Sequence, residues 1–306
     1  MKICFYGVGG VGGFYGAIVT QNYSNEHDVY FIARGKHKDA INANGFKLKK
    51  SGGEEVIHVQ PKLCTNSVKE LPVCDIVILS VKAYDLENAV NDISKIANEN
   101  TIILPLLNGV DIYDRIREHF KIGIVLPACV YIGTHIESPG IIFQKGGSNI
   151  IYMGSDPNNP KFNLSPLFDL FNGASIAYEF KENVNVEIWS KYMFIAAYGL
   201  VTAAYCKTLG EVYNDRELNK ITKAIMEEIN EIARKMNIFL EDKIIEKSID
   251  KARQFPHDVK TSFQRDVELK GKVNEGDIFG GTIIRLGEEF GINTPFTEKI
   301  YKKLVN

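Results

Sequence analysis

No uninterrupted apolar run in this 306-residue chain approaches the roughly eighteen residues that a membrane-spanning helix needs, so no span is expected. Charge of either sign is not in excess: 36 basic and 38 acidic residues leave a formal net charge of −2, with no long block of one sign. That argues against a nucleic-acid or membrane-surface partner held by bulk electrostatics, although it leaves room for a local basic pocket. Cysteine is sparse and scattered. Cys4, Cys64, Cys74, Cys129 and Cys206 show no C-x-x-C spacing and are odd in number, which argues against a disulfide framework and against a zinc site. Most of them lie in apolar segments and read as small core residues. A charged and apolar leader is missing, which points to a cytoplasmic protein. Internal repeats and low-complexity linkers are missing too. What remains, 45% hydrophobic and 24% charged, is the balance of an ordinary globular protein, long enough for two domains of ordinary size.

The stretch MKICFYGVGGVGGFYG carries the most information. A short apolar strand, Ile3 to Tyr6, runs into Gly7-Val8-Gly9-Gly10-Val11-Gly12, the G-x-G-x-x-G fingerprint between a strand and a helix. Gly7 permits the turn, Gly9 lets backbone approach a pyrophosphate, and Gly12 lets the helix pack on the sheet. The phosphates would rest on the N–H groups and positive dipole end of that helix. A dinucleotide is therefore expected.

Apolar runs alternate with amphipathic stretches to about residue 180, the pattern of parallel βαβ units. Strands are expected at Ile3–Tyr6, Asp28–Ala33, Asp75–Val81, Thr101–Leu106 and Ile122–Tyr131, with helices at Gly13–Gln21, Leu86–Ala97 and Ile112–His119. Continuous runs such as IVILSV and IILPLL indicate strands buried on both faces. Glycines and prolines at 133–160 mark hairpins and turns, among them Ser138-Pro139-Gly140 and the loop 156–160. From about residue 181 the texture becomes helical, at Val184–Tyr205, Asp215–Met236, 239–253, 261–271, 275–290 and 295–304. The expected fold is α/β: an N-terminal Rossmann-like parallel sheet domain over 1–180, followed by an all-α C-terminal domain over 181–306. The two are expected to abut and form a cleft beyond the carboxyl ends of the strands.

The second strand ends in Ala33-Arg34-Gly35-Lys36, without the carboxylate that takes the ribose 2′-hydroxyl of NAD. A guanidinium offers forked donors to a 2′-phosphate, so Arg34 points to NADP (NADPH) as the cofactor. Arg34 and Lys36 also read simply as exposed cations after a strand.

Further strings converge on one family. Val81-Lys82-Ala83-Tyr84, Leu107-Asn108-Gly109-Val110, Trp189-Ser190-Lys191, Thr261-Ser262-Phe263-Gln264-Arg265-Asp266 and Asn274-Glu275 follow the glycine motif in order. Over essentially its whole length the chain resembles the ketopantoate reductase (2-dehydropantoate 2-reductase) family. The resemblance implies an NADPH-dependent enzyme that reduces a 2-keto acid, 2-dehydropantoate to pantoate, in pantothenate biosynthesis. It implies Lys82 and Asn108 at the nicotinamide end of the cofactor, Lys191 as proton donor to the keto oxygen, and Glu275 beside cofactor and substrate. Ser262 would match the serine that contacts substrate. A cationic acid suits hydride transfer because negative charge builds on the carbonyl oxygen. Ser262 also reads as a helix cap, and Glu275 as a first-turn carboxylate.

The chain departs from the family where members often carry asparagines: Ile195, Gly199 and Leu209 stand there. Lys191, Ile195 and Gly199 share one helical face by their i, i+4, i+8 spacing, so this substrate-facing wall has lost two amides. A paralogue acting on another 2-oxo compound, and a non-catalytic NADP(H)-binding sensor, are the alternatives. Monomer and homodimer both remain open.

Overall fold

The computed structural model describes every residue except Glu54, Lys270, Lys272 and Asn306. The chain divides into two compact units, one of residues 1–107 and 112–184, the other of 108–111 and 185–306. Position 270 of the expected 261–271 helix lies outside the described residues.

The first unit runs β1 (Lys2–Tyr6), α1 (Gly10–Tyr23), β2 (Asp28–Ile32), α2 (Gly35–Asn44), β3 (Phe46–Lys50), β4 (Val56–Val59), β5 (Leu63–Thr65), β6 (Ile76–Leu79), α3 (Leu86–Ile93), β7 (Ile102–Pro105), α4 (Ile112–His119), β8 (Ile124–Val125), β9 (Ala128–Ser138), β10 (Ile141–Met153), α5 (Ser165–Gly173) and β11 (Tyr178–Phe180). Six strands make a wholly parallel sheet in the order β5-β2-β1-β6-β7-β8. The order reverses between β1 and β6, which is where doubly wound sheets bind dinucleotides. Every residue of β6 and of β7 is buried, which is why both segments are continuously apolar.

A second sheet was not expected. In it β10 pairs antiparallel with β9 and parallel with β3 and β11, while β4 pairs antiparallel with β3. Helix α1 packs against strands of both sheets. It buries Gly12 to Ala17, Val19 and Thr20 and so lacks the polar face of a surface helix. Phe31 of β2 meets Phe5 of β1 at 5.9 Å and Phe46 of β3 at 5.5 Å, both edge-on, which joins the two sheets in one core.

The expected single strand Ile122–Tyr131 is corrected to two. Strand β8 ends at Val125, Pro127 has no N–H to continue a ladder, and β9 starts at Ala128 in the other sheet. The loop at 156–160 is closed by Asp156, which accepts the Tyr113 hydroxyl at 2.8 Å, the Asn158 N–H at 2.9 Å and the Val125 N–H at 3.1 Å, and pairs with buried Arg117. Burial opposes its charge, but those donors and the guanidinium outweigh it and hold the carboxyl below the usual range.

The second unit is helical: α6 (Asn185–Tyr205), α7 (Leu209–Asn214), α8 (Arg216–Lys235), α9 (Ile244–Lys251), α10 (Ser262–Glu268), α11 (Thr282–Phe290) and α12 (Pro295–Val305). The first turn of the expected 275–290 helix is instead a π-helical turn, Asp277–Gly281. Helix α6 is buried along most of its 21 residues. Buried Glu228 of α8 caps α12, accepting the Phe296 N–H at 2.8 Å, the Thr297 N–H at 3.0 Å and the Thr297 hydroxyl at 2.6 Å.

Candidate functional site

In the first unit the glycine loop joins β1 to α1 at the point where strand order reverses. Gly7 has φ +92°, and a Cβ there would meet the Ser80 carbonyl at 2.8 Å. Side-chain-free backbone is therefore required at the loop's start. At Gly12 a Cβ would run into the Gly7 carbonyl and the Ser80 hydroxyl, which itself donates to Gly7 O at 2.8 Å. Beside Gly9, by contrast, nothing lies within 4 Å of a Cβ position. Helix α1 has no acidic residue in its first turn, so its N-terminus stays favourable to an anion. Room beside Gly9, a free helix dipole and a nearby guanidinium suit a dinucleotide phosphate.

The guanidinium is that of Arg34, directly before α2. Its side chain is 72% exposed and its Nη2 donates to Asp85 Oδ2 at 2.5 Å. Asp85 ends a short 3-10 turn, Ala83–Asp85, that Lys82 precedes. Neither Asp85 nor His37 belongs to a motif that marks it in the sequence. The His37 ring stands 2.9 Å from Val8 O, and the Gly140 N–H donates to its Nδ1 at 3.0 Å. Since Nδ1 accepts, Nε2 carries the proton that reaches the glycine-loop carbonyl, and the ring is neutral. Burial lowers its pKa below the ordinary histidine range, against the pull of the Val8 carbonyl.

In the second unit Lys191 and Asn108 come together although 83 residues apart: Lys191 Nζ donates to Asn108 Oδ1 at 2.7 Å, and Lys191 is only 9% exposed. Glu275 is buried two residues before the π turn. Next to Lys191, the Tyr192 hydroxyl donates to Ile278 O at 2.6 Å, which ties α6 to that turn. Ile195 is half-buried. Gly199 is buried, and a Cβ there would touch Phe263 at 3.6 Å, so this position is a packing contact between α6 and α10. Ser262 is exposed. The cap of α10 is Thr261, whose side chain accepts the Gln264 N–H at 3.1 Å and lies 2.9 Å from the Thr202 hydroxyl of α6. Leu209 is buried in the first turn of α7. Among the described residues no cluster of side chains suited to a metal ion is present.

The family profile described as Ketopantoate reductase PanE/ApbA matches residues 3–158, and that described as Ketopantoate reductase PanE/ApbA C terminal matches residues 183–305. The chain belongs to the ketopantoate reductase family. It is thus an oxidoreductase of a family that binds NAD(P)H, with a parallel α/β sheet domain and a helical C-terminal region. Among relatives of this ketopantoate reductase homologue is the "Uncharacterized oxidoreductase YkpB" of Bacillus subtilis (strain 168), 26% identical over 304 residues, 99% of this chain and 98% of that one. The crystal structure of 2-dehydropantoate 2-reductase from Porphyromonas gingivalis W83 superposes with a TM-score of 0.84 at 27% identity, over 100% of this chain and 99% of that one. A ternary structure of D-mandelate dehydrogenase with NADH and anilino(oxo)acetate shares the fold, with a TM-score of 0.87 at 21% identity over 100% and 97% of the two chains. Among the described residues no helix is long and apolar enough to cross a membrane.

Proposed function

We propose that this protein reduces a small 2-keto acid with NADPH, that its substrate is 2-dehydropantoate and its product pantoate, and that Lys191 is the general acid. The observation that carries the reading is the bond from Lys191 Nζ to Asn108 Oδ1 at 2.7 Å on a lysine 9% exposed. A buried ammonium aimed by an amide is a proton source held in place. The first unit binds the cofactor through the loop Gly7 to Gly12 and the N-terminus of α1, with Arg34 for the 2′-phosphate and Lys82 toward the nicotinamide end. When bound, NADPH supplies the hydride for the keto carbon. Lys191 offsets the negative charge that grows on the keto oxygen and hands it a proton, leaving a neutral amine that is reprotonated from water. Asn108 keeps the ammonium oriented through this step, and Glu275 supports the same region with a buried carboxylate.

The second reading is a paralogue with a less polar 2-oxo substrate. It is favoured by the α6 face, where Ile195 offers no hydrogen bond and Gly199 is packed on Phe263. One assay tests both: NADPH oxidation followed by absorbance with a panel of 2-keto acids. Efficient turnover of 2-dehydropantoate supports the first reading, and preference for a bulkier or less hydroxylated compound the second. No turnover of any 2-oxo compound would sink both.

A further inference from the structure

We propose that Asp111 is a positioning residue, and that with Thr282 and Arg285 it holds the acceptor of the Lys191 hydrogen bond in place; the proposal rests on the reading of Lys191 as proton donor. The segment Asn108–Asp111 begins three residues after the end of β7, yet it packs with the helical unit. Its first residue accepts from Lys191. Gly109 follows at φ +130°, a conformation open to glycine, and the segment then turns a second polar side chain into the same unit. Asp111 Oδ2 accepts the Thr282 hydroxyl at 3.0 Å and lies 3.5 Å from Arg285 Nη2. The Asp111 side chain is 15% exposed and Thr282 is fully buried. Arg285 is itself braced by Asp277, at 2.5 Å and 3.4 Å. Each end of the four-residue segment is thus pinned to a different helical element.

The two pins converge on one structure. Asp277 and Thr282 bracket the π turn Asp277–Gly281, and the carbonyls of Ile278 and Phe279 within it take the Tyr192 hydroxyl at 2.6 Å and 3.3 Å. Tyr192 neighbours Lys191 on α6. The turn therefore fixes the donor's helix directly through Tyr192, and the acceptor's segment through Thr282 and Arg285 of the adjoining α11, which Asp277 holds and which in turn hold Asp111. π turns are rare insertions in helices and are frequently found at functional sites. A hydrogen bond between side chains 83 residues apart depends on such support, because small misplacements of a reacting group cost large factors in rate.

The decisive variants are Thr282→Val, which keeps the shape and removes the donor, and Thr282→Ser, which restores it. Lys191 is followed in two ways: by kcat and KM, and, without any substrate, by the rate at which its amine is acylated by a trace reagent, read by mass spectrometry. Thr282→Val is expected to lower kcat by about ten- to a hundredfold with KM for NADPH unchanged, and to raise Lys191 acylation. Thr282→Ser is expected to recover most of both. Should Thr282→Val fail to fold, Asp111→Ala serves for the same two readouts. Acylation that rises while kcat holds would support the clamp and overturn Lys191 as the acid. Unchanged acylation in a folded Thr282→Val or Asp111→Ala would overturn the clamp.

Discussion

Arg34→Ala should strip NADPH of most of its advantage over NADH, and the size of the effect can be worked out from the pair the arginine makes. A charge-assisted hydrogen bond to the 2′-phosphate contributes about 1.5–3 kcal/mol. In the free protein the Arg34 guanidinium already engages Asp85, with side chains 72% and 25% exposed. Giving up an exposed pair of that kind costs about 0.2–1 kcal/mol. The net preference is then about 0.5–2.8 kcal/mol, or roughly two- to a hundredfold in Kd. Calorimetric titration of NADPH and NADH into wild type, Arg34→Ala and Asp85→Asn separates the contributions. NADPH should weaken by that factor in Arg34→Ala while NADH stays level. In Asp85→Asn, where no carboxylate competes, NADPH should tighten by roughly two- to fivefold. Added salt should narrow the gap, since the Arg34 guanidinium is solvent-exposed. Wild-type protein that binds NADH as tightly as NADPH would refute the reasoning.

Three further outcomes are expected. Lys191→Ala should lower kcat by about 10²–10⁴-fold with NADPH affinity nearly unchanged, because general acid catalysis acts in the transition state; near-normal turnover would mean the proton comes from elsewhere. His37 is held neutral by burial and by the Gly140 N–H on its Nδ1, so its pKa is lower folded than unfolded. Its contribution to stability is complete above about pH 6.5 and is lost as pH falls through the folded value. Urea unfolding from neutral pH down to about 5 should therefore show a steeper loss in wild type than in His37→Gln, and equal slopes would refute the assignment. Arg117→Met should destabilise by about 3–5 kcal/mol in denaturant unfolding, since it strands the carboxylate of Asp156 in the core; a loss below about 1 kcal/mol would show that Tyr113 and the amides of Val125 and Asn158 suffice.

Much of the architecture follows from local pattern alone. Strands buried on both faces must be continuously apolar, so β6 and β7 were legible, and the glycine loop was legible because its backbone conformation and close contacts admit little else. The helical texture after residue 181 is likewise local. The second sheet was not legible: β3 pairs with β10 about ninety residues on, and its alternation FKLKK is too short and charged to signal a strand. The break at Pro127 was visible as a residue but was outweighed by the apolar run around it. At the site, residue types and order brought Lys191 and Asn108 forward through family resemblance, but only the folded chain sets one 2.7 Å from the other. Asp85, His37, Asp111 and Thr282 carry no motif, and each has a hydrogen-bond partner 29 to 171 residues away. Periodicity records what a residue does within its own helix or strand. Which distant groups share a hydrogen bond is decided by packing, where many side chains must be satisfied at once, and that is where the three-dimensional structure alone speaks.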